Sequence, residues 1–489
     1  MESHIKTLLV SSEVAPFSKT GGLADVSGSL PGALKNLGCD IRVTTPLYKM
    51  VRESGCAAEK ILKGLKVKVG ESFKKGDVSE CVLNGQVKTY LVEKDQYYNR
   101  KYLYGTSRGD YSDNAARFIF FSLMVFELCK AIGFKPDVIH CNDWQSGLIP
   151  AYLRTVYRND PFFKHTAVLF TIHNLAYQGN FTEEELALTG LPPETFTPEG
   201  IEFWGKVSFL KAGIVYSEVI NTVSQAYSRE IQTTEYGCGM EGILAYRKDD
   251  LFGIINGVDY EIWSPEKDTF IAANYSKDNL SGKIKCKADL ISQFGLPESL
   301  NNRPLLGMIS RLADQKGFDL LAKIMGDLMN LDVGFILLGT GEQKYHELFS
   351  DIAKKYPRKA GIRLSYNNAL AHKIEAGCDM FLMPSRYEPC GLNQIYSLKY
   401  GTIPVVRATG GLDDTIEDYT LSSEVGNGFK FTDYSPHEFL DKIKEALEVY
   451  ENKDAWLKLV RKVMSLDFSW ENSARQYIDL YQRAMGKPR

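Results

Sequence analysis

The sequence has no Cys-x-x-Cys pair, no Asp-x-Asp pair, no long apolar run and little excess of either charge. Its nine cysteines are odd in number and unpaired in spacing, which argues against a disulfide framework and fits reduced thiols in a cytosol. No His/Cys cluster has zinc spacing, so no metal site is expected. A net charge of -3, from 58 basic and 61 acidic residues, leaves no basic field for nucleic acid or a membrane surface. The most apolar stretch, Phe118 to Cys129, is too short and interrupted to span a bilayer. The opening Met1-Glu2-Ser3-His4-Ile5-Lys6 carries no cationic and apolar leader. The expectation is a soluble, cytoplasmic protein without low-complexity linkers.

What is present is enough apolar material, 44% over 489 residues, for two or three cored domains. Short aliphatic runs alternate with longer helical patterns. Thr7 to Val10, Ile41 to Thr45, Asp137 to His140 and Val168 to Ile172 are the clearest strands of the first half. Leu305 to Ile309, Phe335 to Leu338, Met380 to Met383 and Ile403 to Val406 are those of the second. This alternation predicts an α/β protein with two doubly wound parallel sheets, each covered by helices on both faces.

The chain is organised around Pro384-Ser385-Arg386-Tyr387-Glu388-Pro389-Cys390-Gly391-Leu392-Asn393-Gln394. The buried run Met380 to Met383 breaks at Pro384, and a helical pattern opens near Gly391. A helix start offers unpaired N–H groups to a phosphate, and Glu388 just before it can accept hydrogen bonds from a polyol. The competing reading is a strand-to-helix turn whose Glu only caps the helix. Other segments end strands in the same way: His140-Cys141-Asn142-Asp143-Trp144, Thr171-Ile172-His173-Asn174, and Ser310-Arg311 through Lys316-Gly317. Arg311 and Lys316 bring two cations to one loop, suited to a departing diphosphate or else simply solvated.

Ser18-Lys19-Thr20-Gly21-Gly22-Leu23-Ala24-Asp25 is echoed by Ala408-Thr409-Gly410-Gly411-Leu412-Asp413-Asp414, which supports two halves. The turn Asn256-Gly257-Val258-Asp259, following the strand-like Leu251 to Ile255, marks the boundary between them. Two such domains are expected to face one another across a ligand-binding cleft.

Taken together, these segments resemble the bacterial glycogen synthases and plant starch synthases. The matches are Lys19 to Asp25, Asn142-Asp143-Trp144, Ile172 to Gly179, Asn256 to Asp259, Ser310-Arg311 through Lys316-Gly317, Glu388 to Leu392, and Thr409 to Leu412, in family order over nearly the whole chain. The resemblance implies the two-domain GT-B fold: residues 1–256 as a Rossmann-like, glucan-side domain, 257–469 as a Rossmann-like nucleotide-sugar domain, and a C-terminal helix in 470–489, within Glu471 to Met485, crossing back to the first. It implies a retaining transferase that moves glucose from ADP-glucose to an α-1,4-glucan, with neither metal nor other cofactor. Lys19, Asp143, His173, Arg311, Lys316 and Glu388 would carry the chemistry. Lys19, with Gly21 and Gly22, would meet donor phosphate, and Arg311 and Lys316 would hold the diphosphate as the domains close. Asp143 and His173 would flank the transferred glucose, and Glu388 would bind its hydroxyls or balance charge at the anomeric carbon. Tyr366 would stack on adenine. Asn256, Cys390, Gly391, Leu392, Tyr396, Thr409, Gly410 and Gly411 would complete the donor contacts.

The sequence departs from relatives of the same fold where Tyr396 replaces a second Glu eight positions after the first, as expected of glycogen synthases. Asn142 and Gln145 resemble the starch-synthase side. Since no residue is securely placed as a nucleophile, with Asp143 and Glu388 the near candidates, same-face attack through an oxocarbenium-like state is favoured. Two alternatives are a related transferase using UDP-glucose or a small acceptor, and a non-catalytic glucan-binding protein.

Overall fold

The computed structural model describes residues 4–106 and 108–487; residues 1–3, part of the opening segment, lie outside them. The chain forms two compact units. One takes in the residues up to Val223, Ser228–Gly257 and those from Trp470 on, and the other Ser224–Tyr227 and Val258–Ser469.

In the second unit six strands pair in parallel. From edge to edge they are Ala360–Arg363, Gly334–Gly341, Leu305–Leu312, Met380–Met383, Ile403–Arg407 and Phe429–Phe431. In chain order this is 3-2-1-4-5-6, the doubly wound order, in which ligands lie beyond the strand ends where the order reverses. The reversal falls between Leu305–Leu312 and Met380–Met383, whose following loops carry Lys316 and Glu388. Leu305, Leu306, Phe335, Ile336, Leu337, Phe381 and Leu382 are fully buried, as expected for strands covered on both faces.

The first unit's sheet is larger and not wholly parallel. Its parallel part runs Leu251–Gly253, Val219–Thr222, Ala167–Ile172, Val138–Asn142, Lys6–Val10, Asp40–Pro46 and Val87–Glu93. Ser72–Leu83 and Glu59–Val69 then add antiparallel strands to the edge. This hairpin corrects the expectation of a purely parallel sheet. Its outer strand carries Lys60, Lys63, Lys66 and Lys68 and buries only Val67 and Val69, so it lacks the apolar run that marks a covered strand. Lysines on an edge also discourage pairing with another chain.

The two diglycine segments fall at non-equivalent places. Gly21-Gly22 follows the first strand of its sheet, whereas Gly410-Gly411 follows Ile403–Arg407, the fifth strand of the other sheet. The two segments thus serve different strands of their sheets.

The helix Trp470–Met485 belongs to the first unit and buries Trp470, Ser473, Ala474, Tyr477, Leu480, Tyr481 and Ala484, one stripe at helical spacing. Two of its tyrosines reach polar groups of the sheet. Tyr477 accepts from Asn221 Nδ2 at 3.1 Å, and Tyr481 shares a hydrogen bond of 2.9 Å with His140 Nδ1. The other nitrogen of His140 meets Thr171 Oγ1 at 2.8 Å, and burial pulls its pKa down to about 3. His140 is thus a neutral tie between sheet and helix. Tyr481→Phe should leave His140 Nδ1 unpartnered in a dry site and cost about 1–3 kcal/mol. The expected outcome is a melting temperature lower by a few degrees with turnover unchanged; an unshifted melt would remove the bond from the account.

Candidate active site

In the second unit, three loops meet at the strand ends. Glu388 is buried, and its Oε2 accepts from Lys316 Nζ at 2.6 Å and from Ser385 Oγ at 3.0 Å. The loops carrying these residues are joined through their backbones: Arg386 N donates to Gln315 O at 2.8 Å, and Gln315 Nε2 to Tyr387 O at 3.2 Å. Only glycine fits at Gly317, where φ is +74° and a Cβ would lie 1.8 Å from Pro384 O. The third connection is Thr409 and the start of the helix Gly410–Thr415, which packs on the backbone of Glu388. Gly411 N donates to Glu388 O at 3.0 Å, and a Cβ at Gly411 would stand 2.0 Å from Cys390 O. Lys316, Glu388, Cys390, Thr409, Gly410 and Gly411 therefore form one cluster.

Arg311 closes the same strand end, exposed, with Nη2 3.5 Å from Gln315 Oε1. Gly391 takes φ +71°, Leu392 follows it, and the helix opens at Asn393, two residues later than its sequence pattern indicates. Tyr366 is 76% exposed, immediately before Asn367, which caps the helix Asn368–Gly377 by accepting from Leu370 N at 2.9 Å. Tyr396 lies instead in a buried aromatic stack, its ring 4.0 Å and nearly parallel to Trp263, which stacks in turn on His372 at 3.8 Å.

The first unit gathers its own set at the reversal between Lys6–Val10 and Val138–Asn142. Asp143 takes φ +54° and is buried, with Oδ1 accepting from His173 N at 2.7 Å. His173 Nε2 lies 2.9 Å from Asn142 Oδ1. Burial pushes the Asp143 carboxyl up to about 7, against the bond from His173 N and with help from the nearby Glu13 charge. Burial alone pulls His173 down to about 3, which keeps it neutral. Gln145 is buried beside them, its Oε1 without a hydrogen-bond partner.

Lys19 and Gly21 lie on an exposed loop, and exposed Gly22 opens the helix Gly22–Asn36. Lys19 Nζ donates to Asp25 Oδ1 at 2.6 Å, and a Cβ at Gly21 would meet nothing within 4 Å, so this stretch faces open space. Asn256 lies apart from this loop, buried at the end of the unit, its Oδ1 lacking a partner.

One residue of the set escaped the sequence reading. Glu13, buried three residues beyond Lys6–Val10, accepts from Thr20 N and, at 2.6 Å, 3.3 Å and 2.7 Å, from Thr20 Oγ1, Gly21 N and Tyr104 OH. It holds the glycine loop in shape. The signal was a carboxylate in Ser11-Ser12-Glu13, directly after a buried strand.

Two doubly wound units, each with cations or carboxylates at its strand ends, have the architecture of the GT-B fold class. Residues 6–246 match the model of the starch synthase catalytic domain, and 296–463 that of glycosyl transferases group 1. The glycogen synthase of Koribacter versatilis is 50% identical over 97% of both chains. That of Thermosipho africanus is 45% identical over 99% of this chain and all of its own. The catalytic domain of starch synthase IV from Arabidopsis thaliana, bound to ADP and acarbose, superposes with a TM-score of 0.90 at 30% identity, covering 99% of this chain and 100% of that one. Sucrose-phosphate synthase from Thermosynechococcus elongatus shares the fold, with a TM-score of 0.60 at 15% identity, over 98% and 99% of the two chains. The chain belongs to the glycogen synthase and starch synthase family of glucosyltransferases.

The raised pKa of Asp143 has a consequence for stability. Between its ordinary 3.8 and about 7 the folded protein holds a proton that the unfolded chain releases. Asp143 thus costs nothing below about pH 4, progressively more up to about pH 7, and a constant amount above. At about 1.4 kcal/mol per unit, the total is on the order of a few kcal/mol. The melting temperature of the wild type minus that of Asp143→Asn should fall from pH 4 to 7 and then level off; a difference independent of pH contradicts the shift.

Proposed function

We propose that this chain transfers glucose from ADP-glucose to the non-reducing end of an α-1,4-glucan, with retention of configuration, in the cytoplasm. The observation that carries the reading is the Lys316–Glu388 pair at the reversal point of the second unit's sheet, 2.6 Å apart, with Arg311 at the end of the strand that leads to Lys316 and Gly411 bonded to the Glu388 backbone. A cation suited to phosphate and a carboxylate suited to a sugar are held there as one hydrogen-bonded pair. The solved relative with ADP and acarbose supports a nucleotide and a glucan as the ligand classes. No disulfide joins the cysteines among the described residues, in keeping with a reducing compartment. No helix among those residues is long and apolar enough to cross a membrane.

In this reading the donor diphosphate leaves against Arg311 and Lys316, with Lys19 as a further phosphate contact. Glu388 answers the positive charge that develops at the anomeric carbon. The departing oxygen takes the acceptor's proton on the face it leaves, so no nucleophilic side chain is required. Asp143 and His173 position the glucose, the neutral imidazole as a hydrogen-bonding group rather than a cation. Tyr366, exposed before the capped helix, supplies a ring for adenine. Asn256, Gly21, Gly22, Cys390, Gly391, Leu392, Thr409, Gly410 and Gly411 shape the donor loops by their backbones or short side chains. Tyr396, already stacked on Trp263, contributes through the wall it forms.

Glucan-dependent release of ADP from ADP-glucose, compared with release of UDP from UDP-glucose, tests the assignment. Faster UDP release would favour a relative with a different donor, and release of neither would favour a binding protein. Arg311→Ala should slow turnover by about one to two decades, the loss of a charge-assisted contact worth roughly 1.5–3 kcal/mol, with an unchanged circular-dichroism spectrum. Wild-type turnover in that variant rejects the phosphate role.

We also propose that the reaction needs no metal, since three cations are available for the diphosphate and the sequence has no Asp-x-Asp pair. EDTA should leave the rate nearly unchanged. Abolition by EDTA and rescue by Mg²⁺ or Mn²⁺ would contradict this.

A further inference from the structure

In the first unit, Glu202–Phe203 and Lys206–Ser208 pair antiparallel, Phe203 opposite Lys206, so Trp204 and Gly205 form a two-residue turn. Both take positive φ, +52° and +73°. Such a turn calls for Asn or Asp followed by Gly, because a bulky side chain clashes with its own backbone at positive φ. A tryptophan in the Asn slot is an outlier, and its ring is 80% exposed. Neither the strain nor the exposure is offset by burial of the ring.

The surroundings hold this tip in place. Gly205 N donates to Glu202 Oε1 at 2.6 Å, bracing the turn from its own strand. Buried Lys211 places its Nζ 2.5 Å from Pro198 O and 2.6 Å from Glu202 O, anchoring the hairpin's base. Gly239, at φ +82°, lies flush with the two rings: a Cβ there would stand 3.1 Å from Phe203 Cζ and 3.3 Å from Trp204 Nε1. A strained conformation persists only where its surroundings over-determine it, and such places concentrate at ligand clamps.

The neighbouring groups indicate what the ring receives. Asn180, in register with Ser208 at the hairpin's far strand, donates from Nδ2 to Gln178 Oε1 at 2.9 Å; Gln178 Nε2 donates to Cys238 O, beside Gly239, at 3.0 Å. Half-exposed Tyr177 lies next along this segment, four residues after His173. An exposed aromatic face with planar amides on the neighbouring segment suits a pyranose, which presents C–H groups on its face and hydroxyls on its rim. A protein partner would call for a broader apolar patch than one ring among amides.

We propose that Trp204 is a stacking platform for a glucose unit of the acceptor glucan, with the amides of Gln178 and Asn180 on the neighbouring segment for hydroxyls of the same glucan. The inference rests on the reading of the acceptor as an α-glucan. The turn's preference for Asn offers a direct test, since Trp204→Asn removes the ring while relieving the backbone. The variant should melt no lower than the wild type and should raise the apparent KM for glycogen roughly tenfold, the scale of one lost aromatic contact. Its KM for ADP-glucose and its kcat at saturating glycogen should stay unchanged, and Trp204→Tyr should recover most of the loss.

Affinity electrophoresis through a glycogen-containing gel reads the same site without turnover. Retardation of the wild type that is lost in Trp204→Asn supports the platform, even if no nucleotide is released and the transferase reading fails. Equal retardation of the two proteins, or an unchanged KM for glycogen in a folded Trp204→Asn protein, overturns it. Loss of kcat with no change in KM also overturns it, because that would place Trp204 in the chemistry or the fold rather than in acceptor binding.

Discussion

Backbone meeting backbone, with no side chain between, is the constraint on which the donor-side cluster depends. At Gly317 one loop comes within 1.8 Å of carbonyl contact at the position a Cβ would take, and at Gly411 another comes within 2.0 Å. These approaches bring three separate strand ends together around Glu388. A methyl group at either point would push a loop outward and separate the Lys316 ammonium from the carboxylate it contacts. Electrostatics at the site thus follows from a steric condition on two residues that carry no charge.

Each unit uses a buried carboxylate to organise a strand-end loop, but in opposite ways. Glu388 spends its charge on a side-chain cation, Lys316. Glu13 spends its charge on backbone N–H groups and hydroxyls, which fixes the shape of the Lys19 loop and leaves the lysine itself to Asp25. The second arrangement presents an ammonium on an exposed loop of defined shape. The first presents a cation and an anion as a single element. Asp143 differs from both: its low-dielectric surroundings favour the protonated form, so near neutral pH it stands between acid and carboxylate. A fixed ion pair, a braced loop and a titrating carboxyl near neutral His173 give the two sites distinct chemical capacities.

The parallel strands were legible because both faces are buried, which writes an unbroken aliphatic run such as Leu305 to Ile309 or Met380 to Met383. The site loops were legible because cations, carboxylates and diglycines gather where such runs end. The hairpin Glu59–Val69 and Ser72–Leu83 was not legible, because its outer strand is largely solvated and carries lysines among its apolar residues in place of an unbroken run. The echo between Gly21-Gly22 and Gly410-Gly411 was legible as two similar segments, but the strands they follow were not. Both solve the local problem of a tight loop at a strand end, at different positions in their sheets.

Composition and periodicity by themselves determined the class of fold, the parallel cores and the segments at which chemistry collects, because these depend on local burial and on residues close in sequence. Tertiary structure alone decided the partners. It joined Lys316 to Glu388 across 72 positions, His140 to Tyr481 across 341, and Glu13 to Tyr104 across 91. It put Tyr396 into a stack with Trp263 and left Trp204 exposed in a turn built for asparagine. Side-chain pairing over such separations is set by strand order and loop approach, and neither is encoded in the spacing of residues along one element.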